Sequence, residues 1–218
     1  MKLAIFDLDN TLLGGDSDHA WGEFLVEEGI VDGDIHQQTN DQFYQDYQTG
    51  QLDIHAYLEF ALKPIAGKSM EELRNWHIKF MEQKINPIIL DKGKALLEKH
   101  KNDGDYLLII TATNHFVTGP IADALGVDDL IATNPEVIDG VYTGKVNGTP
   151  SYQEGKVERL NSWLAKTNMN LKGSYFYSDS HNDLPLLKQV DNPIAVDPDD
   201  QLAQTANNLN WPIISLRG

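Results

Sequence analysis

The chain has 218 residues, with 17 Lys and Arg against 33 Asp and Glu, a formal net charge of −16. That acidity disfavours nucleic acid and anionic membrane surfaces, which attract Lys/Arg patches, but leaves open a small anionic substrate held by one Lys or a metal ion. The absence of cysteine excludes disulfide scaffolds, Cys-ligated zinc, iron–sulfur clusters and thiol nucleophiles, and 41% hydrophobic residues argue for one sizeable core rather than disorder.

The N-terminal run Met1–Asp7 is too short for a signal peptide, and no stretch approaches the roughly 20 apolar residues of a membrane span; a cytoplasmic protein is expected. Short apolar runs alternate with amphipathic ones, which predicts an α/β fold with a largely parallel sheet. Strands are expected at 3–8, 106–111, 130–132, 174–178, 193–196 and 213–216. Between about 15 and 86 the buried-strand runs stop. Ser17, Asp53 and Ser69 stand where each can cap a helix, followed respectively by Ala20, Trp21, Phe24 and Leu25, by Ile54, Tyr57, Leu58 and Ala61, and by Leu73, Trp76 and Phe80. This reads as a helical insertion, 16–86, in an α/β core of 1–15 plus 87–218. Further on, Asp139-Gly140 suits a tight hairpin turn, Ser151 with Glu154 has capping-box spacing, and Asp197-Pro198 resembles a helix start.

Four features carry chemistry. Asp7 and Asp9 flank Leu8 at the carboxyl end of the first strand, where open parallel sheets bind ligands. Such a pair can supply a nucleophile and a general acid/base, or a metal site; as solvated strand-end aspartates they would do neither. Thr111-Ala112-Thr113-Asn114 follows the second strand and can hold phosphate oxygens or simply cap a helix. Lys156 stands near a helix start, where a cation opposes the helix dipole unless it faces an anion. Asp179 and Asp183 bracket another strand-to-helix turn, oxygen ligands suited to a hard cation such as Mg²⁺, although Ser180 could cap there without a metal.

The order of these features resembles the haloacid dehalogenase-like phosphohydrolases, in the subclass with a helical cap inserted after the first motif. The runs at 6–13, 15–21, 110–114, 116–122 and 177–187 are similar to the phosphoserine phosphatase-like branch, and within it to the histidinol-phosphate phosphatase-like group. The resemblance implies a Rossmann-like core. It implies Asp7 as nucleophile forming an aspartyl-phosphate and Asp9 as general acid/base. Mg²⁺ is implied at Asp7, the Asp9 carbonyl and Asp179, with Asp183 close by. Thr111 and Lys156 are implied on the phosphoryl group, with Thr11, Asn114 and Asn182 around them. Asp16 stands at the spacing of that branch's substrate-amine binder, and His19 and His181 lie near enough in sequence to face the site.

The branch's carboxylate-binding arginine has no counterpart around 57–62, and Arg74 is the insertion's only arginine. Amine recognition without carboxylate recognition fits an amino-alcohol phosphate, with histidinol phosphate as the example. Trp21, Phe43, Tyr44, Tyr57, Phe60 and Trp76 are candidate stacking partners, Phe60 and Trp76 being expected in the insertion's core instead. The remaining histidines read as surface residues.

Three competing readings fit the sequence less well, the first of them remaining the non-enzyme alternative. A phospho-acceptor signalling module would carry an Asp where Thr111 ends the middle strand. An EF-hand beginning at Asp32 has Gln37 and Phe43 where Gly and Glu are needed. A nucleotide loop around Gly144-Lys145 lacks the following Ser/Thr. A phosphoserine phosphatase or a phosphotransferase of the same family stays open.

Overall fold

The computed structural model describes residues 1–218. Seven strands form one sheet: β1 (Leu3–Phe6), β2 (Tyr106–Asn114), β3 (Asp129–Ile138), β4 (Val141–Asn147), β5 (Tyr175–Ser178), β6 (Asn192–Val196) and β7 (Ile213–Ile214). Their order is β4-β3-β2-β1-β5-β6-β7, and every pair is parallel except the β3–β4 hairpin. Asp139 and Gly140 turn that hairpin with φ of 51° and 78°, the left-handed region that a two-residue turn needs.

The strands read as continuous apolar runs because both sheet faces are covered. Ala4 and Phe6 of β1 join one hydrophobic cluster with Leu107 and Ile109, while Leu3 and Ile5 join the opposite one with Leu108 and Ile110. The first face is covered by α1 (Ser17–Glu27), α4 (Met70–Phe80), α5 (Asp91–Asn102) and α6 (His115–Leu125), through Phe24, Phe80, Leu97 and Ile121. The second is covered by α7 (Glu154–Thr167), the short α8 (Leu184–Leu187) and α9 (Asp200–Leu209), through Leu160, Leu186 and Leu202. The inserted helices therefore share a cluster with the sheet: Trp21 and Phe80 pack with Phe116 and Leu13. No helix is long and apolar enough to cross a membrane.

α2 (Gly33–Gln48) and α3 (Ile54–Leu62) complete the insertion. Only Asn40 of α2 is fully buried, so apolar burial does little to hold this helix. Asn40 Nδ2 instead donates to the His19 carbonyl at 2.9 Å. Gly22 makes room for it; a Cβ on that residue would stand 2.4 Å from the same nitrogen.

Several local expectations need correction. Asp16, not Ser17, caps α1, its carboxylate accepting from His19 N–H at 2.8 Å. Ser151 does not cap α7: the helix begins at Glu154, and Ser151 N–H donates to Thr133 Oγ1 at 2.9 Å. Asp199, not Asp197, caps α9, because Asp197 is spent accepting from Leu216 N–H. The strand at 130–132 runs on into the hairpin as far as Ile138, since pairing with β4 supplies its hydrogen bonds. His100 and His77 are not surface residues. His100 bridges Asp105 and the Tyr177 hydroxyl, each at 2.9 Å, and His77 stacks on Phe116.

Candidate active site

The chain runs from β1 first to β2 and β3 on one side, then returns to β5 on the other. The crevice at that reversal, beyond the carboxyl ends of β1, β2 and β5, is where an open α/β sheet binds ligands. Asp7 follows β1 directly, and its N–H still donates to the Tyr177 carbonyl of β5 at 2.9 Å. Strand pairing thereby sets the first carboxylate beside the strand that leads to Asp179.

Lys156, in the first turn of α7, is buried and reaches Asp7 Oδ1 and Asp183 Oδ1, both at 2.7 Å. Asp183 also accepts from Ser178 Oγ at 2.7 Å. Burial pushes the Asp7 carboxyl up to about 7, Lys156 pulling against it and Asp183 and Asp9 adding to it. Burial opposes the charge on Lys156, but Asp183 and Asp7 outweigh it and hold the ammonium above its ordinary value.

Asp9 turns towards the inserted helices. It accepts from Ser17 N–H at 2.6 Å and from Thr113 Oγ1 at 2.8 Å, with Thr111 Oγ1 at 3.5 Å. Burial and then Asp16 raise its carboxyl to about 6, close to the range useful for proton transfer near neutral pH.

Asp7, Asp9, Asp16, His19 and Thr111 line one enclosed chamber with Asp18, Thr113, Asn40, Phe43, Tyr44, Tyr47 and Tyr57. The cavity is about 40 Å³. At roughly 10–15 Å³ per water that is room for only a few waters. No lysine or arginine is among the lining residues, and Arg74 lies in a separate groove with His77 and Phe116.

Thr11, Asn114, Asn182 and His181, expected on the substrate, do not line the chamber. The single Thr11 hydroxyl lies 3.4 Å from Asp7 Oδ2 and 3.3 Å from Asp179 Oδ1, so it ties the two carboxylates together. Asn114 caps α6 through Val117 N–H. Asn182 Nδ2 donates to the Tyr47 carbonyl at 3.2 Å, fastening α2 to the sheet. His181 Nδ1 and its backbone N–H both meet Asp199 at 2.7 Å, which turns the ring away. Of the aromatic candidates, Phe43, Tyr44 and Tyr57 line the chamber, whereas Trp21, Phe60 and Trp76 do not.

No three His, Asp or Glu side chains converge as a ready-made metal cluster. Asp183 is taken by Lys156 and Ser178, and the Asp9 carboxylate by Ser17 and Thr113. Asp7 and Asp179 remain, joined at Thr11, and burial followed by Asp7 and Asp183 pushes the Asp179 carboxyl well above its usual range. Asp179, partly buried and without a salt bridge, and the second oxygen of Asp7, whose first is held by Lys156, fit a hard cation that keeps much of its water shell.

Residues missed in the sequence are Asp18, Asn40 and Tyr47, while Thr113 is named there with Thr111 but given no role on Asp9. Asp18 and Thr113 sit inside the quoted runs 15–21 and 110–114, which was the available signal; Asn40 and Tyr47 lie on a polar helix that offered none.

The haloacid dehalogenase-like hydrolase family matches residues 4–188. A histidinol-phosphatase of Neisseria meningitidis serogroup C is 46% identical over 99% of both chains. A phosphoserine phosphatase of Mycobacterium tuberculosis is 31% identical over 98% of this chain and 70% of its own. Among solved structures, a protein of unknown function from Bordetella pertussis Tohama I superposes with a TM-score of 0.92 at 45% identity, over 99% and 98% of the two chains. A substrate-bound phosphoserine phosphatase shares the fold, with a TM-score of 0.72 at 18% identity over 99% and 93%.

Proposed function

The chain belongs to the haloacid dehalogenase-like hydrolases and is a phosphoric monoester hydrolase, and we propose that it removes phosphate from a small amino-alcohol phosphate, histidinol phosphate above others, through a phosphoryl group carried on Asp7. The observation that carries this reading is the chamber itself. It sets Asp7 and Asp9 in one space with aromatic walls, an acidic residue for an amine, and no arginine for a carboxylate.

In this mechanism an Asp7 carboxylate oxygen forms a bond to phosphorus as the bond from phosphorus to the alkoxide breaks. Asp9 gives its proton to the leaving oxygen, then takes one from the water that attacks the phosphorylated Asp7 and releases phosphate. Asp7, Asp179 and the Asp9 carbonyl would hold Mg²⁺, with Asp183 nearby. When bound, the metal supplies the positive charge that lets a phosphate dianion approach these carboxylates. Lys156 keeps Asp7 ionised and aimed, and Thr111, beside Asp9, offers a hydroxyl to a phosphoryl oxygen. Asp16, its carboxyl raised by burial to about 6, receives the substrate amine.

Residues 16–86 act as the lid and 1–15 with 87–218 as the catalytic body, working in the cytoplasm on a small phosphomonoester rather than on nucleic acid or membrane. A phosphatase screen with Mg²⁺ across amino-alcohol phosphates, phosphoamino acids, sugar phosphates and nucleotides tests the reading. Histidinol phosphate should give the highest kcat/KM; preference for phosphoserine would overturn it.

A further inference from the structure

The chamber holds one carboxylate that the chemistry above does not use. Asp18, in the first turn of α1, is only 8% exposed and lines the chamber. Its one side-chain hydrogen bond comes from a neutral group, Asn114 Nδ2 at 3.5 Å, and the Tyr57 and Thr113 hydroxyls ease its burial. Lys156 is committed to Asp7 and Asp183, and His19 Nε2 is held by Asp41. A buried carboxylate with neutral partners alone is costly to ionise, and a cationic ligand group beside it offsets that cost. The wall beside it is aromatic, with Tyr57 packed edge-on against Phe43 at 5.3 Å between ring centres. Aromatic faces with a carboxylate suit a flat cation.

We propose that Asp18, beside Tyr57 in the chamber wall, is a specificity residue that binds a second positive charge on the substrate, the protonated imidazole ring, while Asp16 takes the amine. This rests on the reading of the chamber as the site for an amino-alcohol phosphate. It adds that the favoured substrate is a dication apart from its phosphate, with the ring end held in the pocket of Asp18, Tyr57 and Phe43. Burial pushes the Asp18 carboxyl up to about 7, so a cation beside it would favour its ionised form.

The test compares histidinol phosphate with phosphoethanolamine, which keeps the amine and lacks the ring, for the wild-type protein, Asp18→Asn and Tyr57→Phe with Mg²⁺. The wild type should prefer histidinol phosphate in kcat/KM. Asp18→Asn should shrink that preference by about tenfold or more, through KM rather than kcat, as expected for loss of a charge-assisted contact. Tyr57→Phe should shrink it less, and supplies the answer if the first variant does not fold. An unchanged preference in folded variants, or an equal loss on both substrates, would overturn the role of Asp18. Failure of the wild type to hydrolyse either compound, with turnover of phosphoserine, would instead overturn the substrate reading beneath it.

Discussion

Lys156 and Asp7 stand 149 positions apart in the chain and meet at 2.7 Å, both buried. The ammonium also serves Asp183, so removing it leaves two buried carboxylates unpaired. Lys156→Met should lower stability by about 3–5 kcal/mol, as when one partner of a buried pair is deleted. Turnover should fall with it. Urea unfolding beside steady-state kinetics checks both; a variant as stable as the parent would show that the pair holds nothing together.

Asp7→Asn keeps the shape of the side chain and removes the nucleophilic oxygen. Turnover should drop on the order of 10³-fold or more with folding intact, because no other group in the chamber is placed to accept the phosphoryl group. Residual turnover near the wild-type rate, in protein shown intact by circular dichroism, would remove Asp7 from the role.

Chelation should abolish turnover and Mg²⁺ should restore it, since Asp179 stands beside Asp7, both within reach of the Thr11 hydroxyl, with no salt bridge of its own. Asp179→Asn should need roughly 10–100 times more Mg²⁺ for half-maximal rate, a loss of the size seen when groups supporting a metal are removed. Full activity after exhaustive chelation would exclude a metal requirement.

Asp18 makes a stability prediction separate from catalysis. Its carboxyl ionises near 3.8 ordinarily and at about 7 in the folded protein, burial being the main cause. Between those values the folded state binds more protons than the unfolded one. Its contribution is therefore fully present below pH 3.8 and lost as pH rises through about 7. Asp18→Asn removes that loss, so the melting temperature of the variant relative to wild type should climb from pH 4 to pH 8, by the equivalent of a few kcal/mol at most. A difference that is flat with pH would contradict the buried-charge account.

The roof over the chamber is fastened where α2 ends. Gly50 follows it with φ of 70°, and a Cβ there would stand 2.8 Å from His181 Nε2. Asn182 holds the Tyr47 carbonyl on the same contact. Gly50→Val and Asn182→Ala should both loosen the lid and raise KM several-fold, with kcat less affected. Limited proteolysis should show earlier cleavage near 48–52 in both; unchanged KM and cleavage would mean the contact does not govern closure.

The amino-acid sequence by itself determined the α/β class, the parallel strands and the residues standing at strand ends. Apolar runs covered on both faces, and Asp, Thr or Lys placed beside them, are local facts. Asp7, Asp9, Asp16, His19 and Thr111 accordingly share one chamber. Only the tertiary structure decided which neighbours those residues meet. Ser180, His181 and Asn182 are consecutive, yet Ser180 caps a turn, His181 leaves for Asp199 and Asn182 holds α2. Asp18 and Tyr57 are 39 positions apart and share one wall only because α1 and α3 face the same cavity. The helix that carries Phe43, Tyr44 and Tyr47 into the chamber has little apolar periodicity, being held by Asn40 in the gap over Gly22. Hydrophobic pattern marks what is buried, whereas partner choice among polar groups is set by long-range packing, which no local spacing encodes.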